Sequence, residues 1–147
     1  MTNKDLAEVF TSIADLLEIK GEIIYKTLAY RKAAESLADY GRDVNDVWRE
    51  GGAKGLRQIP GVGEAIAEKI DELLTTGKLE FFEKLKKEVP PTLIDVLKVS
   101  GVGPKKAALF WKQLDLTTLD QLKAAAQAGK LRGLPGMGEK SETKILE

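Results

Sequence analysis

Three short stretches of this 147-residue chain place two glycines around one apolar residue, directly ahead of a helical pattern: IPGVGEAIAEKI (59–70), VSGVGPKKAALF (99–110) and LPGMGEKSETKIL (134–146). Glycine gives up more conformational freedom on folding than any other residue, so each pair needs a local reason, either unusual backbone angles or something approaching closely. A helix entered through such a turn presents successive backbone N–H groups that lack intrahelical partners, and its dipole adds positive charge at the same end. The chemistry this favours is anion binding, and a phosphate fits. Such donors cannot read base edges, so they would position a nucleic acid without specifying its sequence. The candidate binding residues are therefore Gly61, Val62 and Gly63, then Gly101, Val102 and Gly103, then Gly136 and Gly138. Lys105 and Lys106 follow the second turn in the first helical turn, where they oppose the dipole unless an anion is bound. A single such turn is weak evidence, since glycines also serve tight turns and helix packing. Three copies, each with an apolar residue two places before the first glycine, are harder to obtain by chance; the third, followed by Glu139 and Glu142, suits packing as well as binding.

Composition narrows the chemistry further. There is no histidine and no cysteine, which removes the usual general base, the commonest metal ligands and any disulfide. Catalysis would fall to Lys, Tyr, Ser, Thr or carboxylates. No stretch approaches the roughly 18 uninterrupted apolar residues of a membrane span, and the start MTNKDLAEVF lacks a signal-peptide core. A cytoplasmic protein is expected. Net charge is zero, but residues 1–50 carry 7 basic against 10 acidic side chains, and residues 99–147 carry 8 against 5. A sequence pI of 6.4 excludes binding by bulk positive charge, so any nucleic-acid contact must use a few placed groups.

The elements that would position these groups are helical nearly throughout. Thr2 and Asp5 form a capping box ahead of Leu6, Val9, Phe10, Ile13, Leu16 and Leu17, and Gly21 ends that helix. A second helix spans about 22–40, with Ile24, Leu28, Ala33, Ala34 and Leu37 spaced for burial, and Gly41 ends it. DVNDVW begins a short third helix closed by Gly51 and Gly52. Ile66, Ile70, Leu73 and Leu74 mark another, ending at Gly77, and LEFFEKLKKE follows as a helix before Pro90 and Pro91 break the chain. That break is the expected boundary between two subdomains, 1–90 and 91–147. Pro104 suits the first turn of a helix, where its missing N–H costs nothing. A short helical piece carrying Leu56, Leu97 or Leu131 precedes each glycine unit, which makes each a helix, a hairpin and a helix with the middle apolar residue plugged between. The fold class is all-α. Trp48 and Trp111 read as half-buried packing residues.

These units resemble helix-hairpin-helix motifs, and their surroundings resemble the amino-terminal region of family X DNA polymerases of the bacterial and archaeal type. The resemblance rests on IYKTLAYRKAAESL (24–37), IPGVGEAIAEKIDELLTTGKL (59–79), VSGVGPKKAALFW (99–111) and LRGLPGMGEKSETKIL (131–146), and it covers essentially the whole chain. It implies a lyase-like domain holding the 5′-phosphate side of a gap, followed by a fingers-like subdomain gripping duplex backbone. It implies DNA that is gapped, nicked or 5′-phosphorylated as the partner, a monomer, and a monovalent Na+ or K+ on the hairpin carbonyls. The polymerase site would lie in a following palm domain with magnesium-binding aspartates, beyond Glu147. By the same resemblance Lys69 is the candidate Schiff-base nucleophile of a deoxyribose-phosphate lyase, and Lys26, Tyr30 and Lys32 surround the phosphate and sugar. Two positions depart from the pattern. Ala65 stands where lyase-active relatives carry a second lysine, and Tyr25 where some carry a histidine that stacks on template; an aromatic ring can still stack on a base. Glu68 and Glu72 flank Lys69 and, if close, would hold its amine charged, which opposes that chemistry. The alternatives are a tandem helix-hairpin-helix module without catalysis, and a helical adaptor whose glycines only serve packing.

Overall fold

The computed structural model describes residues 1–146; Glu147 and the side chain of Glu139 lie outside the described residues. Thr2 caps α1 (Asn3–Lys20) in a full capping box with Asp5, and Gly21 closes it in the left-handed conformation at φ 94°. Leu6, Phe10, Ile13, Leu16, Leu17 and Ile19 of α1 are buried, so this helix is the centre of the molecule. It packs against α2 (Ile24–Asp39), α5 (Glu80–Glu88), α6 (Leu93–Val96) and α7 (Pro104–Leu114).

The second helix differs from its sequence expectation. It starts at Ile24 and ends before Tyr40, which takes an extended conformation at its C-cap. Ile24 and Leu28 are 66% and 52% exposed rather than buried. The reason is angular. At about 100° per residue, the inward stripe is Thr27, Tyr30, Ala33, Ala34 and Leu37, and Ile24, Tyr25, Leu28 and Lys32 fall on the opposite side. Helical spacing does not say which side of α2 turns inward; packing on α1 selects it.

The glycine pair at 51–52 does not close the third helix. α3 (Val44–Leu56), capped by Asp43, kinks at Gly52 (φ 58°, ψ −150°) and then adds the turn that carries the buried Leu56. α4 (Glu64–Thr76) ends at Gly77 with φ 78°. Trp48 donates from Nε1 to Asp71 at 2.7 Å, tying α3 to α4, and Glu72 accepts from the Glu80 backbone N–H at 2.7 Å, which caps α5 from α4.

Pro90 and Pro91 lie between α5 and α6, with Val89 and Leu93 on either side buried in one continuous apolar cluster that also contains Phe10 and Phe110. α7 begins with Pro104 in its first turn as the spacing requires. α8 (Leu119–Gln127) is capped by a Thr118–Gln121 capping box, a 3-10 turn covers Leu131–Gly133, and α9 (Glu139–Leu146) completes the described chain. Among the described residues there is no strand, and no helix is long and apolar enough to cross a membrane.

One buried group is out of balance. Thr27 is 1% exposed and its hydroxyl has no hydrogen-bond partner among the described residues. Burying an unpaired hydroxyl costs about 1–3 kcal/mol, so Thr27→Val is expected to stabilise the fold by about 1 kcal/mol. Urea denaturation checks this: the midpoint should rise with the slope unchanged. A lower midpoint would show that the hydroxyl contributes a bond.

Candidate nucleic-acid interface

The three hairpins share one turn. Val62 N–H donates to Ile59 O at 3.0 Å, Val102 to Val99 at 3.1 Å and Met137 to Leu134 at 3.1 Å. In each, the third residue is a glycine with positive φ: 85° at Gly61, 84° at Gly101 and 74° at Gly136. This is a type II turn, whose third position strains any residue with a Cβ. Pro60 and Pro135 occupy the second position, which proline's fixed φ suits; Ser100 does so in the middle copy. The apolar residue that follows is buried in every case, at 5% for Val62, 6% for Val102 and 9% for Met137. It is the plug that the sequence pattern implies.

The second glycine of each pair behaves differently. Gly63 and Gly103 are the N-caps of α4 and α7 with φ of −88° and −103°, values any residue adopts, and neither helix has a side-chain cap. A Cβ built on Gly63, Gly103 or Gly138 meets nothing within 4 Å. Gly61, by contrast, is pressed against α2: a Cβ there would lie 2.5 Å from Ser36 Oγ and 3.4 Å from Lys32 Cγ. The first helical bonds are Ala67 to Gly63 O and Ala107 to Gly103 O. The N–H groups of Glu64 and Ala65, and of Lys105 and Lys106, thus have no acceptor within their own helix. Lys106 turns its ammonium back onto Gly101 O at 3.1 Å, and Lys105 is exposed.

A second cluster lies beside the first hairpin. Tyr30 is stacked between Phe10 (ring centroids 6.1 Å apart) and Phe81 (5.8 Å), and Lys69 Nζ lies 5.1 Å over the outer ring, Phe81. Burial pushes the Tyr30 phenol above its ordinary value, so it remains a hydroxyl at neutral pH. Lys69 is half-buried and has no carboxylate partner among the described residues; Glu72 is engaged with α5 instead. Tyr30 and Phe81 line a groove of about 350 Å3 with Lys20, Lys26, Lys84, Glu22 and Glu88. Lys26 pairs with Glu22 at 3.4 Å, and Lys20 donates to Glu88 at 2.7 Å. That bond holds the Lys20 amine above its ordinary value and the Glu88 carboxyl below.

The structure therefore brings Lys26, Tyr30 and Lys69 into one neighbourhood. Lys32 sits apart from them at the first turn, and Tyr25 is 79% exposed beside Ile24 and Leu28. Sequence reasoning passed over Phe81 and Lys84, which face this groove from α5, and Ser36, which faces Gly61. The amphipathic pattern of LEFFEKLKKE was visible, but the partner across the groove was not.

Residues 1–79 match the helix-hairpin-helix domain family, and residues 93–147 match the SAM-like helix-hairpin-helix tandem. The chain belongs to the helix-hairpin-helix family. It is 35% identical over all 147 residues to the DNA polymerase/3'-5' exonuclease PolX of Bacillus subtilis (strain 168), and covers 25% of that protein. It is 27% identical over 122 residues, 82% of the chain, to DNA polymerase lambda of Arabidopsis thaliana, covering 22% of it. The chain thus spans about a quarter of the length of these relatives, and matches the amino-terminal region of the first. Helix-hairpin-helix membership and the likeness to two DNA polymerases together support DNA binding. Among the described residues, no group of three or more Asp or Glu could hold a metal ion.

The helix-hairpin-helix turn makes Gly61 an architectural residue. Gly61→Ala forces a left-handed φ on a residue with a Cβ, a cost of about 1–2 kcal/mol, before Ser36 has to move. Urea denaturation should show a loss of at least that size; an unchanged midpoint would mean that the turn can adopt another type.

Proposed function

We propose that this helix-hairpin-helix chain binds gapped or nicked DNA without regard to sequence. Gly61, Val62 and Gly63 form one phosphate seat, and Gly101, Val102 and Gly103 with Lys105 and Lys106 form the other. The observation that carries this reading is the second glycine of each pair. Gly63 and Gly103 have ordinary backbone angles and open space where a Cβ would stand. Nothing inside the protein requires glycine there. Close approach from outside does, and the outward N–H groups of a helix start are what a phosphate oxygen takes.

Preference for a gap draws support from the first half. The groove beside the first hairpin holds Lys26 and Lys20 in pairs with Glu22 and Glu88, and offers the Lys84 ammonium and the Tyr30 phenol to a 5′-phosphate, which would compete for Lys26. Exposed Tyr25, Ile24 and Leu28 share the outward face of α2, and a flat aromatic suits a base that has lost its stacking neighbour. A monovalent cation on the carbonyls of the second turn would take the place of the Lys106 ammonium, which donates to Gly101 O at 3.1 Å.

Asp is among the best N-cap residues and Gly only slightly worse, so Gly63→Asp or Gly103→Asp should leave stability unchanged or raise it by a few tenths of a kcal/mol. The added carboxylate would sit where the phosphate oxygen goes. Fluorescence anisotropy on a 5′-phosphorylated gapped duplex should show a loss of at least tenfold for each, and tighter binding by the unaltered protein to the gap than to intact duplex. Equal affinity for the two would favour a generic duplex-binding module. No affinity at any moderate salt would favour an adaptor, with the glycines serving packing alone.

A second reading is favoured by the position of Lys69 beside that groove. Its amine would add to the C1′ aldehyde of an incised abasic sugar and lose water to give the imine. Removal of a C2′ proton then breaks the C3′–O bond and frees the downstream 5′-phosphate end. Lys69 is half-buried with its Nζ 5.1 Å from the Phe81 ring centroid, and it is in no ion pair with a carboxylate among the described residues. Borohydride reduction on DNA with an incised abasic site should trap a covalent adduct that Lys69→Ala abolishes. Tight gap binding without an adduct would reject the lyase and leave the binding function.

A further inference from the structure

We propose that Lys144, carried on α9, is a phosphate-binding residue of the second hairpin, and that the third hairpin serves chiefly to place it there. The inference rests on the DNA-binding reading above and deepens it by adding a residue that no sequence spacing connects to this turn.

The argument starts from what lies on each left-handed glycine. At Gly61 the nearest neighbours include the stem of Lys32, whose Cγ is 3.4 Å from the position of an added Cβ. At Gly101 the neighbours are the stem of Lys144, with Cδ and Cε both at 3.5 Å and Nζ at 3.8 Å. At Gly136 there is nothing within 4 Å. At each of the first two hairpins a lysine from another helix touches the bare glycine: Lys32 of α2 by its Cγ, behind the closer Ser36, and Lys144 of α9 by its Cδ and Cε with Nζ just beyond. The third has no such lysine. A lysine stem lying on an apolar backbone surface carries its ammonium to the edge of that surface, toward water or toward an anion.

Charge at the second turn supports the same conclusion. Lys106 Nζ donates to Gly101 O, Lys105 is exposed one residue earlier, and Lys144 crosses the same glycine. None of the three is in an ion pair with a carboxylate among the described residues. Like charges gathered at the positive end of a helix repel one another and the dipole. Bound phosphate would relieve both.

The third hairpin is constructed to hold α9 in this orientation. Glu142 is 3% exposed and accepts from the Arg132 backbone N–H at 2.6 Å, from Nε at 3.2 Å and from Nη2 at 3.2 Å. The Arg132 hydrogen bonds keep its carboxyl below the usual value, so it stays charged at neutral pH. At about 100° per residue, Lys144 lies about 200° around α9 from Glu142. Pinning Glu142 inward on Arg132 therefore turns Lys144 away from that contact and toward Gly101.

The test is the salt dependence of anisotropy on the same 5′-phosphorylated gapped duplex. Lys144→Gln should weaken binding several-fold at low salt and flatten the log–log slope by about 0.9, the loss of one neutralised phosphate. Lys144→Arg should retain the slope, and Lys4→Gln on α1, with the same charge change, should leave it unaltered. Gly138→Asp should cost less affinity than Gly103→Asp. Circular dichroism on each variant confirms that the helices are intact. Unchanged slope and affinity in Lys144→Gln would overturn the inference, as would a Gly138→Asp loss equal to that of Gly103→Asp. If Gly103→Asp weakens binding and Lys144→Gln does not, only this inference fails. If neither does, the DNA-binding reading fails with it.

Discussion

The constraint on which the rest of the molecule depends is the left-handed third residue of a type II turn. Because only glycine takes that conformation without strain, the chain reverses in four residues and the next side chain points back between the two helices. Val62, Val102 and Met137 are buried by this reversal. Gly63 and Gly103, which follow the first two plugs, are extended and open helices whose first N–H groups have no intrahelical acceptor. A single backbone choice therefore packs the interior and exposes the donors. Fold and the proposed binding surface are not separable at these turns.

What holds the turns relative to one another is α1. Its inward stripe meets α2 on one side and α6 and α7 on another, so the helix that bears no candidate ligand group sets the geometry of those that do. Arg31 reinforces the arrangement by bridging Asp15 and Glu18 of α1 at 2.9 and 2.6 Å from α2. α2 in turn presses Ser36 and Lys32 onto Gly61. Close helix approach needs a residue without a side chain at that point, so the first glycine answers both the turn and the packing. The second answers neither, and this asymmetry within one short motif is what supports the binding role proposed for Gly63 and Gly103.

Much of this could be read from residues alone, because the controlling interactions are local. Capping box, left-handed stops at Gly21 and Gly77, proline in a first turn, and the turn pattern itself each span only a few residues. The failures share a cause. Ile24 and Leu28 had helical spacing, yet the inward face of α2 was decided by α1, and no count along α2 contains that information. Gly52 was read as a stop, but its angles bend α3 instead of ending it, since the turn beyond still buries Leu56. Phe81 under Lys69, Lys84 beside Tyr30 and Lys144 on Gly101 are meetings between elements far apart in the chain. Residue types at each position were visible; their partners were not.

A neutral protein can present an anion site if its charges are sorted by place: Lys20, Lys26, Lys86 and Lys98 are paired with carboxylates, while the lysines at the hairpin turns are not. Four of the five arginines sit in ion pairs: Arg31 with Asp15 and Glu18, Arg42 with Glu50, Arg49 with Asp46 and Arg132 with Glu142. Guanidinium forks suit carboxylates, and fixed pairs remove both charges from the field seen outside. Lys32, Lys69, Lys105, Lys106 and Lys144, by contrast, have no carboxylate partner among the described residues, and four of these five stand at a hairpin turn. An ammonium on a flexible stem can follow a phosphate whose position varies with the DNA, where a paired guanidinium could not. Net charge is therefore a poor guide to this surface. Zero overall conceals this local excess of unpaired lysine at the hairpin turns, where backbone amides supply fixed donors that no charge count includes.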